Sequence, residues 1–255
     1  MSLTKISAVI ITLNEEHLLE SVLQPLAELC NEIILVDSGS TDRTVEIAEK
    51  YNCKVYHKKF EGYGNQKRYA VSLASNDWIL SIDGDEVITP ELKDEIAFLF
   101  TKEPIQYKGI YVPITFVFMG KIFKYGNEYK KNHLRMFNKS SSNFNNSSLH
   151  EKVEVKGEIY ALKNHLLHYS YKNLTSYFAK FNHYSTLAAE NKMAKKNKIT
   201  ILTIVLIGPW TFFHQYLIRL NILNGFPGFI WALFSSYFAV VKYTKLYELI
   251  RVNKK

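Results

Sequence analysis

Four short apolar runs, each ending on a polar or acidic residue and each separated from the next by a helix-patterned stretch, leave the first hundred residues few ways to fold. Ile6–Thr12 is rich in β-branched residues and stops at Asn14. Glu15–Cys30 then carries apolar residues at helical spacing through Leu18, Leu19, Val22, Leu26 and Leu29. Glu32–Asp37 is a second strand that ends on an acid. The turn Ser38-Gly39-Ser40 follows, with a helix opened by Thr41 or Asp42 and running to Tyr51. Lys54–Lys58 reads as a strand, Asn65–Ala74 as a helix, Trp78–Ile82 as a fourth strand, and Pro90–Thr101 as a helix with proline in its first turn. This alternation predicts an α/β fold with a mostly parallel sheet. In such sheets ligands bind beyond the carboxyl ends of the strands, where the polar residues of this chain gather.

Asp83-Gly84-Asp85 stands at the end of the fourth strand. Two carboxylates one residue apart, where extended backbone relaxes into a turn, can aim into one cleft and hold a hard divalent cation by oxygen, and such a cation can bridge to a diphosphate. Asp37, with the turn after it, sits at the same edge and is placed to offer a carboxylate to a ribose or a base. Thr12, Asn14 and Glu15 end the first strand. Lys67 and Arg68 open the helix before the fourth strand, one of them set to meet a phosphate. Taken singly, each of these residues also reads as a helix cap or a solvated charge; their shared edge argues otherwise.

The segments AVIITLNEE, EIILVDSGSTDRTVEIAEKY and GYGNQKRYAVSLASNDWILSIDGDE resemble the nucleotide-binding half of family 2 glycosyltransferases of the GT-A fold. Within that family the chain is similar to bacterial lipopolysaccharide core β-glycosyltransferases, through HLRMFNK, LHEKVEV and FNHYSTLAAE. The resemblance implies that Thr12, Asn14, Glu15 and Asp37 hold the nucleoside, that Asp83 lies near the ribose, and that Asp85 binds Mg²⁺ or Mn²⁺ on the diphosphate of a nucleotide-sugar, UDP being the implied nucleotide. Family members often carry an acid just before the LRMF-like segment. Tyr129-Lys130-Lys131-Asn132 stands there instead.

Inverting transfer needs a base for the acceptor hydroxyl. No aspartate follows Asp94, so a base from the second part is a glutamate or a histidine. Period-two alternation over Leu149–Val155 puts His150, Lys152 and Glu154 on one face and Glu151, Val153 and Val155 on the other. Glu151 shares the apolar face, where desolvation raises a carboxyl toward a base's working range. It is the expected base, with a buried partner for Arg135 or a lysine as the alternative. His150 then orients groups or reaches the metal. Arg135 reads equally as a phosphate contact or as a structural salt bridge, and Tyr184 as part of the acceptor path or of the core.

Charge divides the chain. Residues 1–100 hold 9 Lys/Arg against 17 Asp/Glu, and residues 101–255 hold 23 against 7. Basic charge alone suits nucleic acid or an anionic membrane, and the neighbouring hydrophobicity selects the membrane. Leu174–Lys198 reads as an amphipathic helix ending in lysines. Ile199–Ile218 and Leu220–Val241 are then free of charged residues, interrupted by Gly208-Pro209, Asn221, Asn224 and Gly225-Phe226-Pro227-Gly228. Two half-buried interfacial helices are expected; a spanning hairpin or a hydrophobic dimer interface would use the same residues. Cys30 and Cys53 are too few for a disulfide framework, and Met1–Ser7 has no basic region ahead of a signal core. The polar insert Ser140–Ser148 reads as a mobile loop whose Asn-x-Ser matches are not expected to be glycosylated.

The expected organisation is a GT-A domain over 1–172, with a nucleotide-binding half at 1–100 and an acceptor half at 101–172, and a basic helical membrane-associating region over 173–255. The expected activity is metal-dependent, inverting hexosyl transfer from a nucleotide-sugar to a lipid-linked or lipopolysaccharide-core acceptor, at the cytoplasmic face of the inner membrane and without nucleic acid. A polyprenyl-phosphate sugar transferase and a non-catalytic sugar-nucleotide or membrane-binding module are the alternatives.

Overall fold

The computed structural model describes residues 4–102, 105–144, 153–194 and 199–252. Two compact units are distinguished, one of residues 1–115 and 130–168, the other of residues 116–129 and 169–255. An aromatic segment, residues 116–129, groups with the C-terminal helices.

In the first unit, β1 (Ile6–Thr12) is buried along its whole length. It is followed by α1 (Leu19–Leu29), β2 (Glu32–Asp37), α2 (Thr44–Lys50), β3 (Lys54–His57), α3 (Tyr63–Leu73), β4 (Trp78–Asp83), β5 (Glu86–Ile88) and α4 (Pro90–Phe100). Thr89 caps α4 by accepting from the Leu92 amide, and Pro90 fills the position where a missing N–H costs nothing. Next come β6 (Gly109–Phe118), β7 (Lys121–Ile122), β8 (Lys131–Asn138), β9 (Ser142–Phe144), β10 (Val153–Val155), β11 (Ile159–Ala161) and β12 (Leu166–His168). The main sheet runs β3-β2-β1-β4-β8-β6-β12-β5. Its β3-β2-β1-β4 block is parallel, and β8 joins β4 antiparallel.

Alternation along β1 builds the layers. Ile6, Ala8 and Ile10 face a core shared with Leu19, Leu23 and Leu26 of α1 and Leu92 and Ile96 of α4. Val9 and Ile11 face a second core with Ala70 and Val71 of α3 and Phe137 of β8. Each fully buried leucine of α1 contributes about 1.5–3 kcal/mol relative to exposure. A strand covered on both faces reads as an unbroken apolar run, which is why β1, β2 and β4 were visible in the sequence.

Part of the polar insert is a strand, and its residues 145–148 lie outside the described residues. Ser142–Phe144 forms β9 and pairs antiparallel with β10. Val153 and Val155 pack against the second core while Glu154 is exposed, so the expected alternation holds over those three residues.

In the second unit α5 spans Leu174–Ala194, α6 Ile201–Phe213 and α7 Phe226–Val252. A π turn, His214–Ile218, prolongs α6, and a 3₁₀ turn, Asn221–Asn224, leads into α7. The unit's core is aromatic: Phe116, Phe118 and Phe123 pack with Tyr177, Phe181 and Trp231. Gly208-Pro209 does not interrupt α6 as expected; Pro209 lies inside the helix. Gly208 is there because α7 comes close, a β-carbon at this position falling 2.9 Å from Val240. Asn221 and Asn224 are buried and act as staples. Asn224 accepts from the Lys124 amide at 3.0 Å and donates to the Tyr125 carbonyl at 3.1 Å, while Asn221 donates to the Gln215 carbonyl at 3.0 Å.

Candidate active site

Strand register brings the polar ends together. Thr12 of β1 lies opposite Asp37 of β2, and Ile11 opposite Asp83 of β4, so the three strand ends form one edge. The chain leaves β1 through Asn14, whose φ of 55° lies in the left-handed region that asparagine tolerates. Asn14 donates its amide to the Ser40 hydroxyl at 2.8 Å and accepts from the Thr41 amide at 2.8 Å. The Glu15 amide donates to the Thr44 hydroxyl at 2.8 Å. These bonds join the loop after β1 to the loop after β2.

Asp37 is 1% exposed. Its carboxylate accepts from the Gly39 amide at 2.9 Å, the Ser40 amide at 3.0 Å and the Ser40 hydroxyl at 2.5 Å, and lies 3.3 Å from Nδ1 of His57. An aspartate bonding to amides two and three residues ahead builds a tight turn. The side chain expected to hold a nucleoside is therefore engaged in shaping the loop itself. Thr12 differs: it is 5% exposed, and its hydroxyl finds no partner among the described residues.

Asp83 and Asp85, expected to act as a pair, have separate surroundings. Asp83 meets the Lys67 ammonium at 2.9 Å and the Arg135 guanidinium at 3.0 Å. Burial opposes its ionisation, but those two cations outweigh burial and hold the carboxyl well below the ordinary range. Arg135 also pairs with Glu86, which is fully buried and accepts from the Asp83 amide at 3.1 Å. Burial raises Glu86, as do Asp83 and Asp85 nearby, against the pull of Arg135. Arg135 thus makes a salt bridge, one of its two expected roles, and Lys67 pairs with the same carboxylate. Both cations sit on neighbours of β4, α3 supplying one and β8 the other, which is why their target was not legible from sequence.

Asp85 instead meets His168, Nε2 to Oδ2 at 3.3 Å, with both side chains partly accessible. Burial lowers the His168 pKa, but the hydrogen bond and charge of Asp85 outweigh it, and the imidazole is raised overall. Pairing of β12 with β5 sets His168 opposite Glu86 and so delivers the ring to the turn. His168 was not among the residues that the sequence singled out. Its signal was a histidine at the end of a short strand, with nothing local to name its partner. On β8, burial, Arg135 and Lys131 push His133 down to about 4, leaving a neutral imidazole two residues before Arg135.

Gly84 permits the turn. A β-carbon there would lie 3.1 Å from the Thr12 hydroxyl and 3.2 Å from Glu15 Cγ. Glu151 and His150 lie outside the described residues, and the structure does not bear on them.

No cluster of three or more His, Cys, Asp or Glu side chains suited to a metal occurs among the described residues. Asp85 with His168 is an oxygen and nitrogen pair of the kind that fits a small divalent cation whose remaining positions go to phosphate oxygens and water. The neighbouring Asp83 is held between Lys67 and Arg135.

Such an α/β unit with an acidic site at its parallel strand ends has a counterpart among known families. The description of glycosyl transferase family 2 matches residues 7–152, more than half of the sequence, and the chain belongs to that family. Its fold is the α/β, GT-A-like arrangement followed by C-terminal helices. Among relatives, an uncharacterized glycosyltransferase of Rickettsia felis is 32% identical, over 98% of this chain and 92% of its own length. A lipopolysaccharide core biosynthesis glycosyltransferase of Rhizobium meliloti is 27% identical over 95% and 92%. Glucosyl-3-phosphoglycerate synthase of Mycobacterium tuberculosis, solved with Mg²⁺ and uridine diphosphate, shows 26% identity and a TM-score of 0.37 over 44% of each chain.

Proposed function

We propose that this family 2 glycosyltransferase transfers a hexose, with inversion, from a nucleotide-sugar to a lipid-linked or lipopolysaccharide-core acceptor at the cytoplasmic face of a membrane. The observation that carries the donor half of this reading is the division of labour at the end of β4. Asp83 is locked by Lys67 and Arg135, whereas Asp85 stands with His168 and is partly accessible.

Asp85 and His168 would hold the Mg²⁺ or Mn²⁺ ion, which supplies positive charge against the departing nucleoside diphosphate. Thr12, with an unmet hydroxyl at the same edge, and the Asn14 and Glu15 backbone frame the nucleoside. Asp37 acts mainly by fixing the loop from Ser38 to Thr41 in one conformation beside the ligand. Asp83 sits where a ribose contact is implied, its charge kept ionised by its two partners. Glu151 takes the proton from the acceptor hydroxyl; its support is the period-two pattern of residues 149–155.

The acceptor half of the reading rests on two things. One is the full-length similarity to the Rhizobium meliloti enzyme whose name assigns it to lipopolysaccharide core biosynthesis. The other is the C-terminal unit, where Ile201–Ile218 has a mean hydropathy of 1.5 and is 6% buried. By length and composition this is the one described helical stretch able to cross a membrane. Lysines on both sides of the apolar stretches in sequence favour interfacial attachment.

The test is release of nucleoside diphosphate from a panel of nucleotide-sugars, with and without Mn²⁺ and a lipid-core extract. It compares the wild type with Asp85→Ala, His168→Ala and Glu151→Gln. Metal-dependent turnover lost in all three, with nucleotide binding kept in Glu151→Gln, is the expected outcome. Full activity in Glu151→Gln would move the base elsewhere. Absence of turnover with every donor and acceptor would leave a binding module.

A further inference from the structure

The C-terminal unit encloses a groove of about 470 Å³, within the range of small-molecule sites. Three helices contribute one stripe each. Ile207, Thr211 and Gln215 recur at every fourth residue of α6 and its π turn. Tyr177, Phe181 and Tyr184 share a face of α5 at steps of four and three, and Trp231, Phe238 and Lys242 line the α7 side. Eleven residues separate Trp231 from Lys242, so the groove runs about 16 Å along α7, about half the thickness of a bilayer's hydrocarbon core. Seven of its thirteen lining residues are aromatic.

One end is cationic. Lys242 is half-buried, its ammonium 4.7 Å from the Tyr243 ring centroid and 5.9 Å from that of Phe238. Lys192 of α5 reaches the same Tyr243 ring at 5.1 Å. Among the described residues neither ammonium has a carboxylate within ion-pair distance. Lys245, one turn on, is different: it donates to Asn182, Ser185 and Thr186 at 2.8–3.0 Å and is fully engaged. Two ammonium groups around one ring, at the mouth of an aromatic groove, suit an anionic group joined to an apolar chain.

The outer side of the same helix says where the occupant comes from. While Ile207, Thr211 and Gln215 face the groove, Leu202, Val205, Leu206, Trp210 and Phe213 of α6 are 47–64% exposed. A helix that is apolar on its open side and lines a groove on the other connects that groove to lipid.

We propose that this groove binds one anionic phospholipid, an acyl chain lying between Phe181, Phe238 and Trp231 and the phosphate resting against Lys242 and Lys192. The chain's membrane attachment is then selective for anionic lipid through a defined site, in addition to the general attraction of its basic charge.

Tryptophan quenching tests it. The chain has three tryptophans: Trp78 is buried in the first unit, Trp210 is exposed on α6, and Trp231 lines the groove. In full-length Trp210→Phe protein in detergent, titration with brominated phosphatidylglycerol should quench Trp231 saturably, at about one lipid per chain. Brominated phosphatidylcholine should need at least about tenfold more lipid, and Lys242→Gln with Lys192→Gln should shift the phosphatidylglycerol curve onto the phosphatidylcholine one. Both lysines are at least partly accessible, so the double variant is expected to fold, which circular dichroism checks. Ala239→Phe, which fills the groove and keeps both lysines, should reduce quenching by both lipids. Equal curves for the two lipids, indifference to the lysine substitutions, or no quenching of Trp231 would each overturn the proposal. None of these outcomes depends on the transferase activity.

Discussion

Strand β2 has an acid at each end, and the two are predicted to answer to different perturbations. Glu32 opens the strand at the edge of the sheet opposite the candidate site, about 16 Å from Asp37 at an extended rise of about 3.3 Å per residue. Its carboxylate accepts from the Ser7 hydroxyl at 2.6 Å, the Ser75 hydroxyl at 2.6 Å, the Ser75 amide at 2.9 Å and the Lys54 ammonium at 2.6 Å. Burial alone would raise it, but Lys54, Ser7 and Ser75 together lower it from an ordinary 4.5 to about 2. A depressed carboxyl stabilises the fold above its unfolded pKa, and that contribution fades as pH falls through the folded value. A shift of about 2.5 units at 1.36 kcal/mol each gives about 3 kcal/mol at neutral pH, of which about half remains at pH 3 and little below pH 2. Glu32→Gln should therefore lower stability by about 2–3 kcal/mol at pH 7, and the gap from wild type should shrink steadily below pH 4.5. Urea denaturation of the full chain in detergent, followed by Trp78 fluorescence at several pH values, measures both curves. Activity per folded molecule should be unchanged. A gap that stays constant from pH 7 to pH 3, or is absent at pH 7, would refute the reasoning.

Three further outcomes are expected. Arg135→Met leaves Glu86 buried beside Asp83 without its cation and should cost about 3–5 kcal/mol; adding Glu86→Gln should recover part of it in a double-mutant cycle. Gly84→Ala brings a β-carbon within 3.1 Å of the Thr12 hydroxyl, and a few tenths of an ångström at the strand edge should weaken nucleotide binding by about tenfold with little change in unfolding midpoint. Calorimetric titration with uridine diphosphate and Mn²⁺ reads the first quantity and thermal melting the second. Asp85→Ala and His168→Ala should each weaken Mn²⁺ binding in the presence of nucleotide by at least about tenfold, seen by water-proton relaxation, while Asp83→Asn, if it folds, leaves the ion its two ligands.

The parallel block was legible because its strands are buried on both faces. Runs such as ISAVIIT of β1, EIILVD and WILSID need only local composition to be recognised, and the polar residue that ends each is adjacent in sequence. The loops that hold Asn14 to Thr41 and Asp37 to Ser40 were less visible. Their residues were singled out as ligand contacts, and the fold uses their polar atoms first on one another. The antiparallel strands β5, β9 and β12 are three residues long and carry no period that could be told from loop.

By itself the sequence determined the α/β class, the strand edge where chemistry gathers, the Asp83-Gly84-Asp85 turn and the change from acidic to basic charge, because each follows from the order and periodicity of neighbouring residues. Tertiary structure alone decided which cation each acid receives. Lys67 and Arg135 reach Asp83 from 16 and 52 positions away, and His168 reaches Asp85 from the strand that pairs with β5. It also decided that Phe116–Tyr129 joins the C-terminal helices and that their stripes enclose a groove. Those outcomes depend on which elements pack side by side, and charge pairing and cavity shape are properties of that packing, which no local stretch of chain contains.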